Sequence, residues 1–392
     1  MAYQSLVCRR NTWIAVFIAI VFLSFSGREA AAMPQFTHID TIPTVVRADE
    51  WAAFKRSYIR RDGRVVDVEK DGVTHSEGQG YGMLLAVFAD DRATFDSIAT
   101  FTFQALSARR DRLMSWLYDP GTHPPLADQN NASDGDILIA YALVKAALKW
   151  DEPRYIALAQ PIIDDIGRLL LNRTDNVVAL RPAVFGFDRR DQEDGPVVNL
   201  SYYVYGALLL FSEIRPNLPF FEAWQSGLLL TEHAISLNRG LAPDWISLDE
   251  NRLGQPALGF KPTSAYESVR IPLYMMLGGR VPMRFLSPFD EAWNRTGSGT
   301  PRQVNLITGR VDHSMADPGY RAIAALTACA VRGVPLPQEL QDFRPSTYFS
   351  SSLHLMVLAA ARAHYPHCTS ATSHVQARQT PHRSVQLRSA YN

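Results

Sequence analysis

The sequence predicts an all-α protein, on three observations. Apolar residues recur at helical spacing in ten segments, β-type alternation is scarce, and the connections between segments are short and carry Gly or Pro. In chain order the helical pattern covers 51–59, 81–89, 93–105, 137–150, 155–171, 203–214, 221–237, 271–277, 320–331 and 351–364. Two of these carry runs that are apolar nearly all round: Ile137-Leu138-Ile139-Ala140 and Leu355-Met356-Val357-Leu358-Ala359-Ala360. Such helices have no side to give to water, so an inner layer covered by an outer one is expected. The short stretches 176–180 and 304–311 are the candidate strands. No repeat of fixed period is visible, which disfavours a regular solenoid. Loops at 116–119, 191–196 and 243–245 gather carboxylates and aromatics, the material of a site built on a helical scaffold.

The two ends differ from this body. Residues 1–32 have the form of a secretory leader: Arg9 and Arg10 precede an apolar run over 13–25, and Ala30-Ala31-Ala32 supplies small residues for cleavage. An uncleaved anchor is the competing reading, but the run is shorter than the roughly 20 residues that span a bilayer. The expectation is therefore an exported protein, periplasmic or extracellular, with no stable membrane span after cleavage. Residues 33–365 read as one domain without an internal linker, and 366–392 as a polar tail poor in apolar residues. With 39 basic and 39 acidic residues the chain advertises no basic face, so nucleic acid is not an expected partner and a neutral polysaccharide fits. Of three Cys, Cys8 lies in the leader, Cys329 sits in an apolar segment that favours a buried thiol, and Cys368 lies in the polar tail. A Cys329–Cys368 disulfide is open to the sequence but not indicated by it.

Two segments carry the chemistry. Ser76-Glu77-Gly78-Gln79-Gly80-Tyr81-Gly82-Met83 places one Glu among three glycines at a helix start, where Thr74 or Ser76 can cap and the glycines let a bulky ligand approach. In a narrow, partly apolar setting the Glu77 carboxyl would titrate high enough to donate a proton. A Glu that complements the helix dipole is the plainer alternative. Ala132-Ser133-Asp134-Gly135-Asp136 sets two carboxylates at the mouth of an apolar helix. One can serve as N-cap; the second is left for bound hydroxyl groups, since calcium wants more oxygens than the segment offers. No phosphate loop, Ser-His-Asp arrangement or Cys/His metal spacing stands out, so neither a cofactor nor a metal is expected.

The run from Ala132 to Asp136, continued by Ile139-Ala140, Ala142-Leu143, Ala146 and Trp150, resembles the signature of glycoside hydrolase family 8. Glu77 in Glu-Gly-Gln-Gly-Tyr-Gly-Met resembles the family's proton-donor segment, and Trp51, 62–67, 199–203 and 348–358 extend the likeness over most of 40–362. The resemblance is closest to bacterial endoglucanases associated with cellulose synthesis. It implies a catalytic domain over 33–365 folded as an (α/α)6 barrel, six inner and six outer helices, with a cleft at one end. It implies an inverting endo-β-1,4-glucanase, in which an acid protonates the glycosidic oxygen while a base activates water from the opposite face. By position, Glu77 is the acid and Asp134 binds and distorts the sugar. Trp116 and Tyr202 offer ring faces to pyranoses, Asp136 binds substrate, and Arg270 orients the base. Relatives carry Tyr-Asp-Ala-x-Arg at the base; here the segment is Tyr266-Glu267-Ser268-Val269-Arg270, one methylene longer at Glu267. Displacements of about 1 Å can cost roughly a hundredfold in rate, so Asp244 in Pro243-Asp244-Trp245 stays open as an alternative base. The expected substrate is cellulose-like β-1,4-glucan, trimmed during synthesis with a cellulose synthase complex as partner. Xylan or chitosan hydrolysis, and a catalytically weakened glucan-binding accessory, are the alternatives.

Overall fold

The computed structural model describes residues 43–174, 177–295 and 298–369; the leader over 1–32 and the tail beyond Thr369 lie outside the described residues. Twelve α-helices follow one another in the described chain: α1 (Ala48–Tyr58), α2 (Ser76–Phe88), α3 (Arg92–Phe101), α4 (Ser133–Trp150), α5 (Pro153–Asp165), α6 (Tyr205–Ile214), α7 (Phe220–Leu237), α8 (Ile271–Leu277), α9 (Ser287–Asp290), α10 (Pro318–Arg332), α11 (Gln338–Gln341) and α12 (Tyr348–His364). The even-numbered helices form a closed ring, because α2 touches α4, α4 touches α6, and so on to α12, which returns to α2. The odd-numbered helices cover it: α1 packs on α12, α3 on α2, α5 on α4, α7 on α6, and α9 and α11 on α10. This is the (α/α)6 barrel that the resemblance implies.

The sequence pattern explains the layering. In α2 every residue is buried except Glu77, and in α12 burial runs unbroken from Ser350 to Ala361. Outer α3 buries only Phe95, Ile98 and Ala99, and its N-cap Asp91 accepts from the Thr94 N–H at 3.0 Å. The glycines of α2 serve this packing rather than a ligand. A Cβ at Gly80 would stand 2.5 Å from the Leu138 Cβ, at Gly78 2.2 Å from the Tyr348 hydroxyl, and at Gly82 2.6 Å from Val65. Gly78 and Gly80 thus let the inner helices close on one another, and Gly82 lets Val65 and Ile98 of outer α3 pack on α2, which corrects the expectation drawn from the sequence.

Helix starts also differ from the expected ones. His75 precedes α2 without a side-chain cap, because Thr74–His75 form β1, paired antiparallel with β2 (Leu117–Tyr118). Neither Asp134 nor Asp136 caps α4; the helix begins at Ser133 and both lie inside its first turn. Of the candidate strands, 176–180 holds β4 (Val177–Leu180), the return arm of a hairpin from β3 (Leu171–Thr174). The stretch 304–311 is instead the turn of a hairpin. The Asn305 side chain accepts from the N–H groups of Ile307 and Thr308, Gly309 takes φ +76°, and β8 (Arg302–Asn305) and β9 (Val311–Ser314) flank them. β8 also pairs with β7 (Thr263–Ser264), while β5 (Val197–Val198) pairs with β6 (Ile246–Ser247).

Cys329, on α10, and Cys368 are joined by a disulfide across 39 residues of sequence. Cys368 is fully buried in the 3₁₀ turn Pro366–Cys368, and its carbonyl accepts from the Leu336 N–H at 2.9 Å. The packed body therefore extends past residue 365, where composition alone set its edge. Among the described residues no helix is long and apolar enough to cross a membrane.

Candidate active site

All six inner helices point their N-termini at one cleft of about 630 Å³. Ser76 and Glu77 open α2, Ala132 and Asp134 open α4, and Tyr202 precedes α6. Glu267 and Arg270 precede α8, Asp317 and Tyr320 open α10, and Thr347 to Phe349 open α12. Six positive dipole ends favour negative charge there, which gives a physical reason for the carboxylates to gather.

Glu77, Asp134 and Glu267 meet around one guanidinium. Arg270 is buried and donates through Nη1 to Glu77 and to Asp134 Oδ2 (3.1 Å), and through Nη2 to Glu267 and to Ser201 Oγ (2.9 Å). Its face is covered by Tyr202 and Phe349, whose ring centroids lie 5.7 and 5.6 Å from the guanidinium carbon. Glu77 Oε1 also accepts from the Tyr81 hydroxyl at 2.6 Å; with that proton committed, the hydroxyl accepts from Tyr274 at 2.7 Å and from Arg270 Nη1 at 3.5 Å. Asp134 Oδ1 accepts from the Gly135 N–H at 2.8 Å. Burial, with the Glu267 charge nearby, pushes the Asp134 carboxyl well above the usual range.

Glu267 Oε2 accepts from Asn199 Nδ2 at 3.0 Å, and the longer side chain ends in the cleft wall. Burial, reinforced by the charge of Asp244, pushes its carboxyl up to about 7. Asp244 itself does not line the cleft; its carboxylate accepts from Thr263 and from the backbone of Ala265 and Ser268.

One expected ligand contact is corrected. Asp136 is fully buried behind the cleft, where Oδ1 accepts from the Met114 N–H at 2.7 Å and Oδ2 from Asn131 Nδ2 at 2.9 Å. Two residues along a helix are roughly 200° apart, so Asp134 and Asp136 cannot share a face. Trp116 does line the cleft, with its Nε1 donating to Asp128 at 2.8 Å and its ring stacked on His75 at 6.1 Å. Burial and Lys70 lower His75 to about 4, so it is neutral at pH 7. Tyr202 lines the cleft and sets its edge against Trp245 at 6.0 Å.

Four contributors were not singled out from sequence. Tyr81 lies one helical turn beyond Glu77, a spacing that puts the two on one face and could have flagged it. Asn199 and Ser201 lie in the 199–203 segment that carries the family likeness, which could have flagged them, whereas Tyr274 reaches the site only through tertiary packing. As for metals, Cys329, His367 and Cys368 lie close together, but both sulfurs form the disulfide.

A buried cation ringed by three carboxylates at the floor of an open cleft suits acid and base work on a neutral, hydroxyl-rich chain. Comparison with known proteins identifies the lineage: the profile of glycosyl hydrolases family 8 matches residues 15–363. The chain belongs to glycosyl hydrolases family 8. Within that family it is 36% identical over 323 residues to the "Probable endoglucanase" of Novacetimonas hansenii, covering 82% of this chain and 92% of that protein. It is 30% identical over 303 residues to the endoglucanase of Cellulomonas uda, covering 76% and 83%. Its fold matches the endo-β-1,4-glucanase CMCax of Acetobacter xylinum with a TM-score of 0.71 and 34% identity, covering 81% of this chain and 98% of that one.

Proposed function

We propose that this family 8 hydrolase is an inverting endo-β-1,4-glucanase. The observation that carries the reading is Glu77: it is the one residue of α2 that is not buried, and it opens into a cleft whose wall also carries Glu267. Glu77 protonates the glycosidic oxygen, and Glu267 takes the proton of the water that attacks the anomeric carbon from the opposite face. Asp134 holds the hydroxyls of the sugar at the cleavage point. Arg270 keeps Glu267 oriented, while Trp116 and Tyr202 give apolar faces to pyranose rings without asking for charge. The family's endoglucanase relatives support β-1,4-glucan as the substrate.

Export to the periplasm or the exterior is part of the same proposal. The leader-like 1–32 segment supports it, and so does the Cys329–Cys368 disulfide, since such bonds persist in oxidising compartments. Trimming of nascent cellulose beside a cellulose synthase complex is the physiological form of this reading; unchanged cellulose length after deletion in a producing host would count against it.

The deciding experiment counts reducing ends released from carboxymethylcellulose by mature wild type and by Glu77→Gln. Wild-type release with a loss of roughly 10³-fold in the variant is expected, and proton NMR of the first product should show the inverted anomer. A folded wild type that is silent on cellulose but cuts xylan or chitosan would replace the substrate. One that binds cello-oligosaccharides and cuts nothing would make the protein a glucan-binding accessory.

A further inference from the structure

Asp244 has an environment that neither a base nor an idle loop residue needs. It lies between α7 and β6, is 7% exposed, and stays out of the cleft wall. Oδ1 accepts from the N–H of Ala265 (2.8 Å) and of Ser268 (3.0 Å), and Oδ2 accepts from Thr263 Oγ1 (2.9 Å). Its own N–H donates to the Thr263 carbonyl at 2.8 Å. Every one of these partners lies within four residues of Glu267, and two of them bracket it. The Ser268 N–H is the first of the 3₁₀ turn Ser268–Arg270 and has no partner within that turn, so a carboxylate is its natural acceptor.

We propose that Asp244 is a positioning residue for Glu267, gripping the 265–268 turn from behind so that the longer Glu267 side chain meets the cleft at a fixed place. The inference rests on the reading of Glu267 as base. It gives a reason why Glu is accommodated where the family resemblance leads to Asp: the longer side chain is carried by a turn that is held in place. The charge of Asp244 acts as well. Around Glu267 stand Asp134 from α4, Arg270 from its own turn, Asn199, Ser201 and Tyr202 from the segment before α6, Tyr274 from α8, and Lys70 from the 67–72 turn. Asp244 adds negative charge behind it and so favours protonation of Glu267, delaying its action as base to higher pH.

Asp244→Ala and Asp244→Asn separate the two effects. Asp244→Ala leaves the turn held only by its own Ser264, Ala265 and Ser268 bonds; kcat should fall about ten- to a hundredfold with KM within about twofold, as displacement of a reacting group predicts. Asp244→Asn keeps an oxygen for the two amides, so it should restore most of kcat while the acidic limb of the pH profile moves to lower pH. Wild-type kcat in Asp244→Ala, or an unmoved limb in Asp244→Asn, would overturn the proposal. So would a near-total loss in Asp244→Asn equal to that of Glu267→Gln, which would make Asp244 the base. A crystal structure of either folded variant tests the geometry without turnover. A Glu267 carboxylate moved by about 1 Å or more in Asp244→Ala supports the grip, and an unmoved one sinks it even if the wild type proves inactive on every glucan and the base assignment falls separately.

Discussion

The two sides of the first turn of α4 carry the same residue type in different settings. On the cleft side, Asp134 faces the Arg270 guanidinium and shares it with Glu77 and Glu267. On the far side, Asp136 makes no direct ion pair and feels Arg109 and Asp111 only from a distance; it accepts from Met114 and Asn131, and Asn131 in turn accepts from the Val184 N–H at 2.8 Å. Three loops are thereby tied behind the cleft, one of them leading two residues later into Trp116. Gly135, between the two, faces α2. The contrast teaches that a carboxylate's role here follows from which donors the fold brings to it. Adjacency in sequence to a site residue says little.

The sharpest way to break this contrast is Asp134→Asn. On the proposed reading it removes the charge that holds the sugar at the cleavage point, and kcat should drop about a thousandfold, about 4 kcal/mol of barrier. Thermal unfolding should change little, because relief of the repulsion from Glu267 is offset by a weaker contact with Arg270. Retained activity would take Asp134 out of the mechanism. A collapse in stability would make Asp134 a structural carboxylate that holds the helix starts together.

Much of this was legible in the chain. Inner helices announce themselves by all-round apolar runs, as in 137–140 and 355–360, because a helix without a polar face has to be enclosed. Glu77, Asp134, Glu267, Arg270, Trp116 and Tyr202 could be picked from motifs and resemblance, and all six line one cleft. Asp136 was misassigned although the information was there: a two-residue step on a helix forbids a shared face. Asn199 and Ser201 sit in the matched 199–203 segment, but their partners, like those of Tyr274, depend on how distant helix ends converge. The Cys329–Cys368 bond was hidden for the same reason, as it needs the exit of α12 to lie beside the last turn of α10.

Asp136→Asn sharpens the far side. Full burial pushes the Asp136 carboxyl up to about 7, although two N–H donors pull the other way. A folded-state pKa above the unfolded value of about 3.9 means that the stability from this group is complete below pH 4. It drains away as pH rises through 7. Asn has the same shape and never ionises. Wild-type stability relative to the variant should therefore fall by up to about 4 kcal/mol between pH 4 and pH 7 and level off above. Urea unfolding of both proteins across that range checks it. A flat difference would mean that the two donors keep Asp136 ionised throughout and that burial is the weaker force.

Gly135→Ala probes the residue that separates the two sides. A Cβ there would lie 2.1 Å from Ser76 Oγ and 2.8 Å from the Glu77 backbone nitrogen. The hydroxyl can rotate away, whereas the nitrogen is fixed in the first turn of α2, so α2 has to shift and Glu77 shifts with it. Replacing a helical Gly by Ala gains about 1 kcal/mol of propensity, against an overpacking cost of roughly 1–3 kcal/mol. The net expectation is a modest loss of about 1 kcal/mol in unfolding free energy, with activity down about tenfold because the acid is displaced. If the variant were instead more stable and fully active, the α2–α4 contact would be soft. The position of Glu77 would then have to be held by Tyr81 and Arg270 rather than by the helix that carries it.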